Sequence, residues 1–307
     1  MYLNANNIIP LRQSGFRKGH STTAALCDLT DNIVTAIDNK TTVALLLLDF
    51  TKAFDTLNHL LLVSKCSYYG FTQNLCRNEN LDLAEHVINR DVNNAIIYSK
   101  HHNLQANPTK SKLLIYASKV HRNFIKSNIN ITVQQQKLVP VPYAKNLGLI
   151  IDDELKFTQH VNSLISQCYA TLRVLYANKG ILDKNMRKEL CQALIISKIS
   201  YCLVIYYPFL DVLTANRIQK ILNNCCRFVN DLRKYDHVSR FLCDLNWLKL
   251  EGMYYYHLLA FVYRILHFPS PMYLSQKFIP RGTTHNVNIR NTTALILRNI
   301  VPHYFKK

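Results

Sequence analysis

Val43-Ala44-Leu45-Leu46-Leu47-Leu48-Asp49-Phe50-Thr51-Lys52-Ala53-Phe54-Asp55 is the stretch whose reading decides the fold. Six apolar residues run straight into one carboxylate, and a second follows six positions later. A continuous apolar run this short, bounded by polar residues, predicts a strand buried on both faces. Such a strand delivers Asp49 to its carboxyl end, where open α/β sheets place ligands. Carboxylates are rarely buried without a partner, so an acid there points to a metal ion or a structural cation. The plain alternative is a helix cap after a strand.

Upstream, Arg12-Gln13-Ser14-Gly15-Phe16-Arg17-Lys18-Gly19-His20-Ser21-Thr22 is a basic loop that holds two of the seven glycines. Glycines let the backbone approach a ligand closely, and Arg17 and Lys18 supply charge, but the G-K-[ST] ending of a P-loop is absent. Ser21 then precedes a helical pattern with Ala25, Leu29, Ile33, Val34 and Ile37 on one face. Downstream, the pattern predicts a helix over 56–69, a join over 71–80 and a second helix over 81–102. Asn107-Pro108 is a turn signal, and Leu113–Ala117 reads as a strand. A hairpin is expected with arms Ile129–Val133 and Leu147–Ile151, linked through Pro140 and Pro142.

From Thr158 onward the periodicity is helical. Val161, Leu164, Ile165, Cys168, Leu172 and Leu175 make one apolar stripe. Leu190, Leu194 and Ser197 with Ile195, Ile196 and Ile199 make a broader one. A third runs from Ile218 through Ile221, Leu222, Cys225, Phe228 and Val229 to Leu232, and a fourth is Leu258, Leu259, Val262, Ile265 and Leu266. These are core-packing patterns.

The 307 residues carry a formal charge of +18, unevenly spread. Residues 1–74 hold 6 Lys/Arg against 5 Asp/Glu, residues 75–157 hold 11 against 7, and residues 158–307 hold 20 against 7. The excess sits in the helical half, as expected of a surface that meets a polyanion or, more plainly, of a solvated basic face. Arg187, Lys188, Arg217, Lys220, Arg227, Arg233 and Lys234 are its candidate nucleic-acid contacts, joined by Lys18 of the basic loop. Nine scattered cysteines without paired C-x₂-C spacing predict reduced, mostly buried thiols and no zinc site. The N-terminus lacks a signal-peptide pattern and no apolar run reaches membrane-spanning length, so an intracellular protein, nuclear or cytoplasmic, is expected.

At these residues the chain resembles the reverse transcriptase of non-LTR retrotransposons, in particular the jockey-like elements. Gln13-Ser14-Gly15-Phe16-Arg17 with His20-Ser21-Thr22 looks like the fingers segment. Leu48-Asp49-Phe50-Thr51-Lys52-Ala53-Phe54-Asp55-Thr56 with Asn58-His59 looks like the palm segment carrying the first catalytic aspartate. Asn107-Pro108-Thr109-Lys110-Ser111-Lys112 looks like the turn before the fourth palm segment. Asn146-Leu147-Gly148 with Ile151-Asp152, Leu155 and His160 is similar to the primer-grip hairpin and its exit. Ser200-Tyr201-Cys202 through His267-Phe268-Pro269-Ser270-Pro271-Met272-Tyr273-Leu274 resembles the thumb and downstream region. The resemblance runs along nearly the whole chain in the family's order.

It implies an α+β fold: a truncated reverse-transcriptase palm and fingers followed by a mostly α-helical, thumb-like bundle. The implied segments are 1–73 (fingers and first palm segment), 74–157 (remaining palm helix, strand and primer-grip-like hairpin), 158–268 (basic helical domain) and 269–307 (a loosely structured tail). It implies template-primer RNA/DNA as partner, no small-molecule cofactor, and Mg²⁺ held in the family by three aspartates. Phosphoryl transfer to a primer hydroxyl uses two cations about 3.5–4 Å apart, with oxygen ligands. Asp49 matches the first aspartate, as catalytic residue and metal ligand. Phe54 matches the aromatic gate against a ribose 2′-OH, and Arg17 a substrate contact. Asp55 reads as a structural acid.

The other two aspartates, in a Y-x-D-D strand, and the G-x-P-Q-G template loop have no counterpart. In the family they fill the interval that Phe71–Asn80 closes here. Ile150-Ile151-Asp152-Asp153 imitates Y-x-D-D but falls at the primer-grip position, where turn acids are ordinary. The family's usual protein also carries an endonuclease-like domain and continues past the matched stretch. The expectation is an internally deleted, truncated and catalytically inactive remnant that retains nucleic-acid binding. Two alternatives stand beside it: an incomplete gene model or split chain of an active RNA-directed DNA polymerase, and a non-catalytic nucleic-acid-binding or interaction protein.

Overall fold

Ser21 closes the glycine-punctuated loop and caps a helix, its Oγ accepting the Ala24 N–H at 3.1 Å and so satisfying one of the amides a helix start leaves open. In the computed structural model, which describes residues 12–51, 76–77, 105–134, 136–268, 271–280 and 295–297, this is α1, Thr22–Asp38. The buried face is corrected from the expected stripe, with Ala25 and Leu29 only half-buried. Leu26, Cys27, Thr30, Ile33 and Val34 are buried, whereas Ile37 is exposed. Thr30 is tolerated on the buried face because its hydroxyl donates to the Leu26 carbonyl at 2.8 Å.

The apolar run forms β1, Val43–Leu47, one residue shorter than the run itself. Phe50–Thr51 (β2), Cys76–Arg77 (β3), Gln105–Ala106 (β4) and Lys112–Tyr116 (β5) come after it. β1 is the middle strand of an antiparallel β3-β1-β5 sheet, with Leu45 opposite Leu114 and Ala44 opposite Cys76. The pairing is therefore not that of a parallel α/β sheet. Both faces of β1 are apolar because Val43 and Leu45 are buried on one side, while Ala44, Leu46 and Leu48 pack on the other. That second face meets a cluster of Leu113, Ile115, Ile125, Ile129, Ile131, Val133 and Leu138. A fully apolar run thus serves an antiparallel centre strand as well as a parallel one. β2 pairs antiparallel with β4, carrying the chain onward from Asp49.

α2, Lys119–Asn128, brings Ile125 into the same cluster. The expected hairpin is corrected: Ile131–Val133 (β6) pairs with Gln136–Leu138 (β7), Ile131 opposite Leu138, and not with Leu147–Ile151. Pro140 sits beside Leu113 instead, and the next amide, Val141 N–H, donates to the Leu113 carbonyl at 2.8 Å. Tyr143–Asn146 (β8) and Leu149–Asp152 (β9) flank a turn in which Leu147 and Gly148 both take positive φ.

Helices then dominate: α3 Thr158–Ala177, α4 Lys184–Cys191, α5 Ser197–Ser200, α6 Leu203–Tyr206, α7 Val212–Asn230, α8 Ser239–Asp244, α9 Leu250–His267 and α10 Met272–Ser275. The stripes of α3 and α7 are buried as their spacing predicts, except that Leu232 is only half-buried. The second stripe is corrected to Arg187, Cys191, Ile195 and Ile199, with Leu194 exposed. A π-helical segment, Gln192–Ile196, links α4 to α5, and its wider winding keeps residues four apart on one face. On α9, Leu250, Met253, Tyr254, Leu258 and Ile265 are buried while Leu259 and Leu266 face out.

The segment expected as a loose tail contains α10 and an antiparallel pair, Phe278–Pro280 (β10) with Leu295–Leu297 (β11). The chain divides into two compact units, one of Met1–Gly148 with Asp152–Glu154 and Pro271–Tyr273, the other of Leu149–Ile151, Leu155–Ser270 and Leu274–Lys307. The class is α+β. The segments expected as 1–73 and 74–157 share one sheet, because β1 pairs with β5. No single helix among the described residues is long and apolar enough to cross a membrane. The helices expected over 56–69 and 81–102, most of the join at 71–80, and Phe54 and Asp55 lie outside the described residues.

Candidate nucleic-acid interface and the Asp49 corner

Asp49 stands two residues past β1, where the turn before β5 meets it. Asn107 donates its backbone N–H to the Asp49 carbonyl at 2.7 Å, and the Asp49 N–H points at Ser111 Oγ at 3.4 Å. Ser111 is buried and donates its hydroxyl to the Asn107 carbonyl at 2.8 Å. The Asn107 side chain holds the turn, its Oδ1 accepting from Thr109 N–H at 3.1 Å and Thr109 Oγ1 at 2.7 Å. The backbone on both sides of Asp49 is thereby fixed while its carboxylate stays half-exposed, with Lys110 Nζ 3.8 Å from Oδ2. Lys110 is the neighbour that the sequence pattern did not single out.

A two-magnesium site needs several carboxylate oxygens around one pair of ions. Among the described residues no three His, Cys, Asp or Glu side chains converge for a metal ion. One half-exposed carboxylate facing a lysine does not fit that requirement. Asp152 Oδ1 instead accepts the Glu154 N–H at 3.1 Å. Asp153 is nearly buried and lies 2.5 Å from Lys126 Nζ and 3.5 Å from Arg122 Nη1. Arg122 also donates to the Asp153 carbonyl at 2.7 Å and to Glu154 Oε1 at 2.6 Å. Asp153 and Glu154 tether α2 to the turn after β9, with Arg122 and Lys126 answering their charges.

In the basic loop, Phe16 takes positive φ and is almost wholly exposed. Lys18 is exposed and Arg17 half-buried. Burial and the Arg17 charge both lower the His20 imidazole below its usual range, and His20 lies against the Tyr273 ring at 5.9 Å. Ser14 Oγ shares a 2.9 Å hydrogen bond with Tyr273 Oη. The loop is thus built into the first unit by its own polar side chains.

The seven cations of the helical half part company. Arg187 is buried, and its Nη1 donates to the Phe228 carbonyl at 3.0 Å and to both Asp231 carboxylate oxygens at 2.9 Å. Lys179 Nζ reaches Asp231 Oδ1 at 2.5 Å, and the Arg187 and Lys179 hydrogen bonds hold the Asp231 carboxyl down at about 2. Asp231 is the left-handed residue that ends α7, so Arg187 closes a helix terminus rather than facing solvent. Arg227 is half-buried, donating to Asn224 Oδ1 and to the Asp236 carbonyl, both at 3.3 Å. Lys188 is half-buried on α4. Arg217, Lys220, Arg233 and Lys234 are exposed, Lys234 lying over the Tyr235 ring at 5.4 Å. No protein-family model matches the chain, and no curated protein is significantly similar to it.

α3 and α7 meet along their length. Arg217 Nη1 donates to Asn162 Oδ1 at 3.0 Å in their second turns, and Tyr176 packs edge-on against Phe228 at 4.8 Å in their last. They therefore run in the same direction. Neither helix contains an Asp or Glu. That gap is the sequence signal for a basic surface shared by two helices, one that the number of cations alone does not carry.

Proposed function

We propose that the chain is a remnant of a non-LTR retrotransposon reverse transcriptase that lacks polymerase activity and keeps an affinity for nucleic acid. The observation that carries this reading is the corner at Asp49. The segment resembling the first palm strand pairs along its full length with the strand after Asn107–Ser111, the segment resembling the approach to the fourth. Two stretches more than sixty residues apart, matched independently by their motifs, thereby become neighbours around the one acid the resemblance makes catalytic. The chemistry of that acid supports inactivity. One carboxylate cannot organise two cations, and most of the barrier lowering in phosphoryl transfer comes from that charge stabilisation.

Primer extension on poly(A)–oligo(dT) with Mg²⁺ or Mn²⁺ tests the reading. No incorporation is expected from the intact chain. Incorporation that disappears in Asp49→Ala would overturn it.

A further inference from the structure

We propose that single-stranded nucleic acid lies along the joint face of α3 and α7, with its phosphates on Arg173, Arg217 and Lys220 and its bases against Tyr169 and Tyr176. This rests on the nucleic-acid affinity of the proposed function and adds where the strand binds and in what form.

Helical spacing puts Asn162, Tyr169, Arg173 and Tyr176 on one side of α3, since steps of three and four residues keep to one face. Two contacts orient that side toward α7: Asn162 holds Arg217, and Tyr176 touches Phe228. Arg217 and Lys220 lie on the flank of α7 that borders it, away from the buried Ile218, Leu222 and Cys225. Arg173, Arg217 and Lys220 are all exposed.

Three features select the occupant. The 20-residue α3 and the 19-residue α7 carry cations and no acid within their lengths, and the Asp231 carboxylate that caps α7 near Tyr176 is answered by Arg187 and Lys179. Tyr169 and Tyr176 are 40% and 43% exposed, Tyr176 with Phe228 edge-on and Lys179 Nζ 5.9 Å from its ring centre. The two tyrosines stand two turns apart, roughly 10 Å along the helix axis. Aromatic rings set among cations are how single strands are held, because an unpaired base has a π-face to stack whereas a duplex keeps its bases inside. An acidic peptide would answer the charge and leave the rings unused.

The test uses the full-length chain and a fluorescein-labelled 20-mer of oligo(U) or oligo(dT), read by anisotropy at several salt concentrations. Each phosphate neutralised on a single strand contributes about 0.7 to the slope of log affinity against log salt. Arg217→Gln with Lys220→Gln should therefore flatten the slope by about 1.4. Tyr169→Ala should weaken binding by about fivefold or more, as loss of one stacked base does. Tyr176→Phe should bind as the unaltered chain while Tyr176→Ala does not, which separates stacking from the hydroxyl. Lys137→Gln with Lys145→Gln, exposed lysines of the first unit, removes equal charge and should change affinity by less than about twofold. Circular dichroism at the same temperature checks that each variant is folded.

The surface is overturned if the two double variants lose affinity equally, if Tyr169→Ala and Tyr176→Ala bind unchanged, or if polyglutamate displaces the strand at equal charge concentration. Failure of the unaltered chain to bind either strand at low salt would overturn the parent reading as well. Binding that ignores these substitutions removes this surface alone.

Discussion

Asp49 and His160 show how one side chain takes its character from its surroundings. Asp49 keeps half its surface in water because the turn that fixes its backbone leaves the carboxylate outside, beside Lys110. His160 is buried at the start of α3 with its ring 5.0 Å from Tyr206, and its Nε2 has no hydrogen-bond partner. Burial alone lowers its pKa from 6.5 to about 4. Between those values the unfolded chain binds a proton that the folded chain refuses, so stability falls as the pH drops through that window. Below it the loss from this group is complete. Urea unfolding at pH 7.5 and pH 4.5 should show about 2–3 kcal/mol less stability at the lower pH from His160. His160→Phe, which keeps a ring against Tyr206, should remove that part of the pH dependence, and an unchanged dependence would refute the assignment. Arg187 makes the complementary case. Its charge was legible in the sequence, but the Asp231 that answers it is 44 positions away, and only folding shows that the pair closes α7.

Helices are held at their ends by single side chains. Asp211 Oδ1 accepts the Thr214 N–H at 2.6 Å and Asp183 Oδ1 accepts the Met186 N–H at 2.8 Å, starting α7 and α4. Asp211→Ala should cost about 1 kcal/mol of stability in urea unfolding, and Asp211→Ser should restore most of it. Equal losses in the two variants would mean that Asp211 acts through something other than the cap. At this scale the sequence was readable where one period runs unbroken. The stripes of α3 and α7 come from spacing because a regular helix repeats its angles. The stripe through α4 and α5 departs from its spacing because the π-helical turn at Gln192–Ile196 changes the period partway along. The hairpin differs for another reason: Ile131–Val133 pairs with a nearer strand, Gln136–Leu138, and short connections close with less loss of chain entropy.

Across the whole molecule, the cysteines report the extent of burial. Cys27, Cys168, Cys191, Cys202, Cys225 and Cys226 are buried, while Cys243 is exposed. Burial pushes the Cys168 thiol up to about 11, and a hydrogen bond to Cys191 together with burial raises Cys225. Thiolates are the reactive form, so iodoacetamide on the native protein should label Cys243 and spare these six until denaturant is added. Peptide mass mapping reads the outcome, and rapid native labelling of Cys168 would contradict the packing of α3. The sequence by itself determined the local facts: the helix caps, the apolar stripes of uniform period, the Asn107 turn, the strand before Asp49 and the basic bias of the second half. Each of these depends on neighbours a few positions apart, where backbone geometry fixes which side chains meet. Only the tertiary structure decided that β1 lies antiparallel to β5, that Arg187 is buried against Asp231, that Asp153 belongs to Arg122 and Lys126, and that α3 and α7 share one acid-free face. Those outcomes depend on which distant segments exclude water together, and no local period encodes that choice.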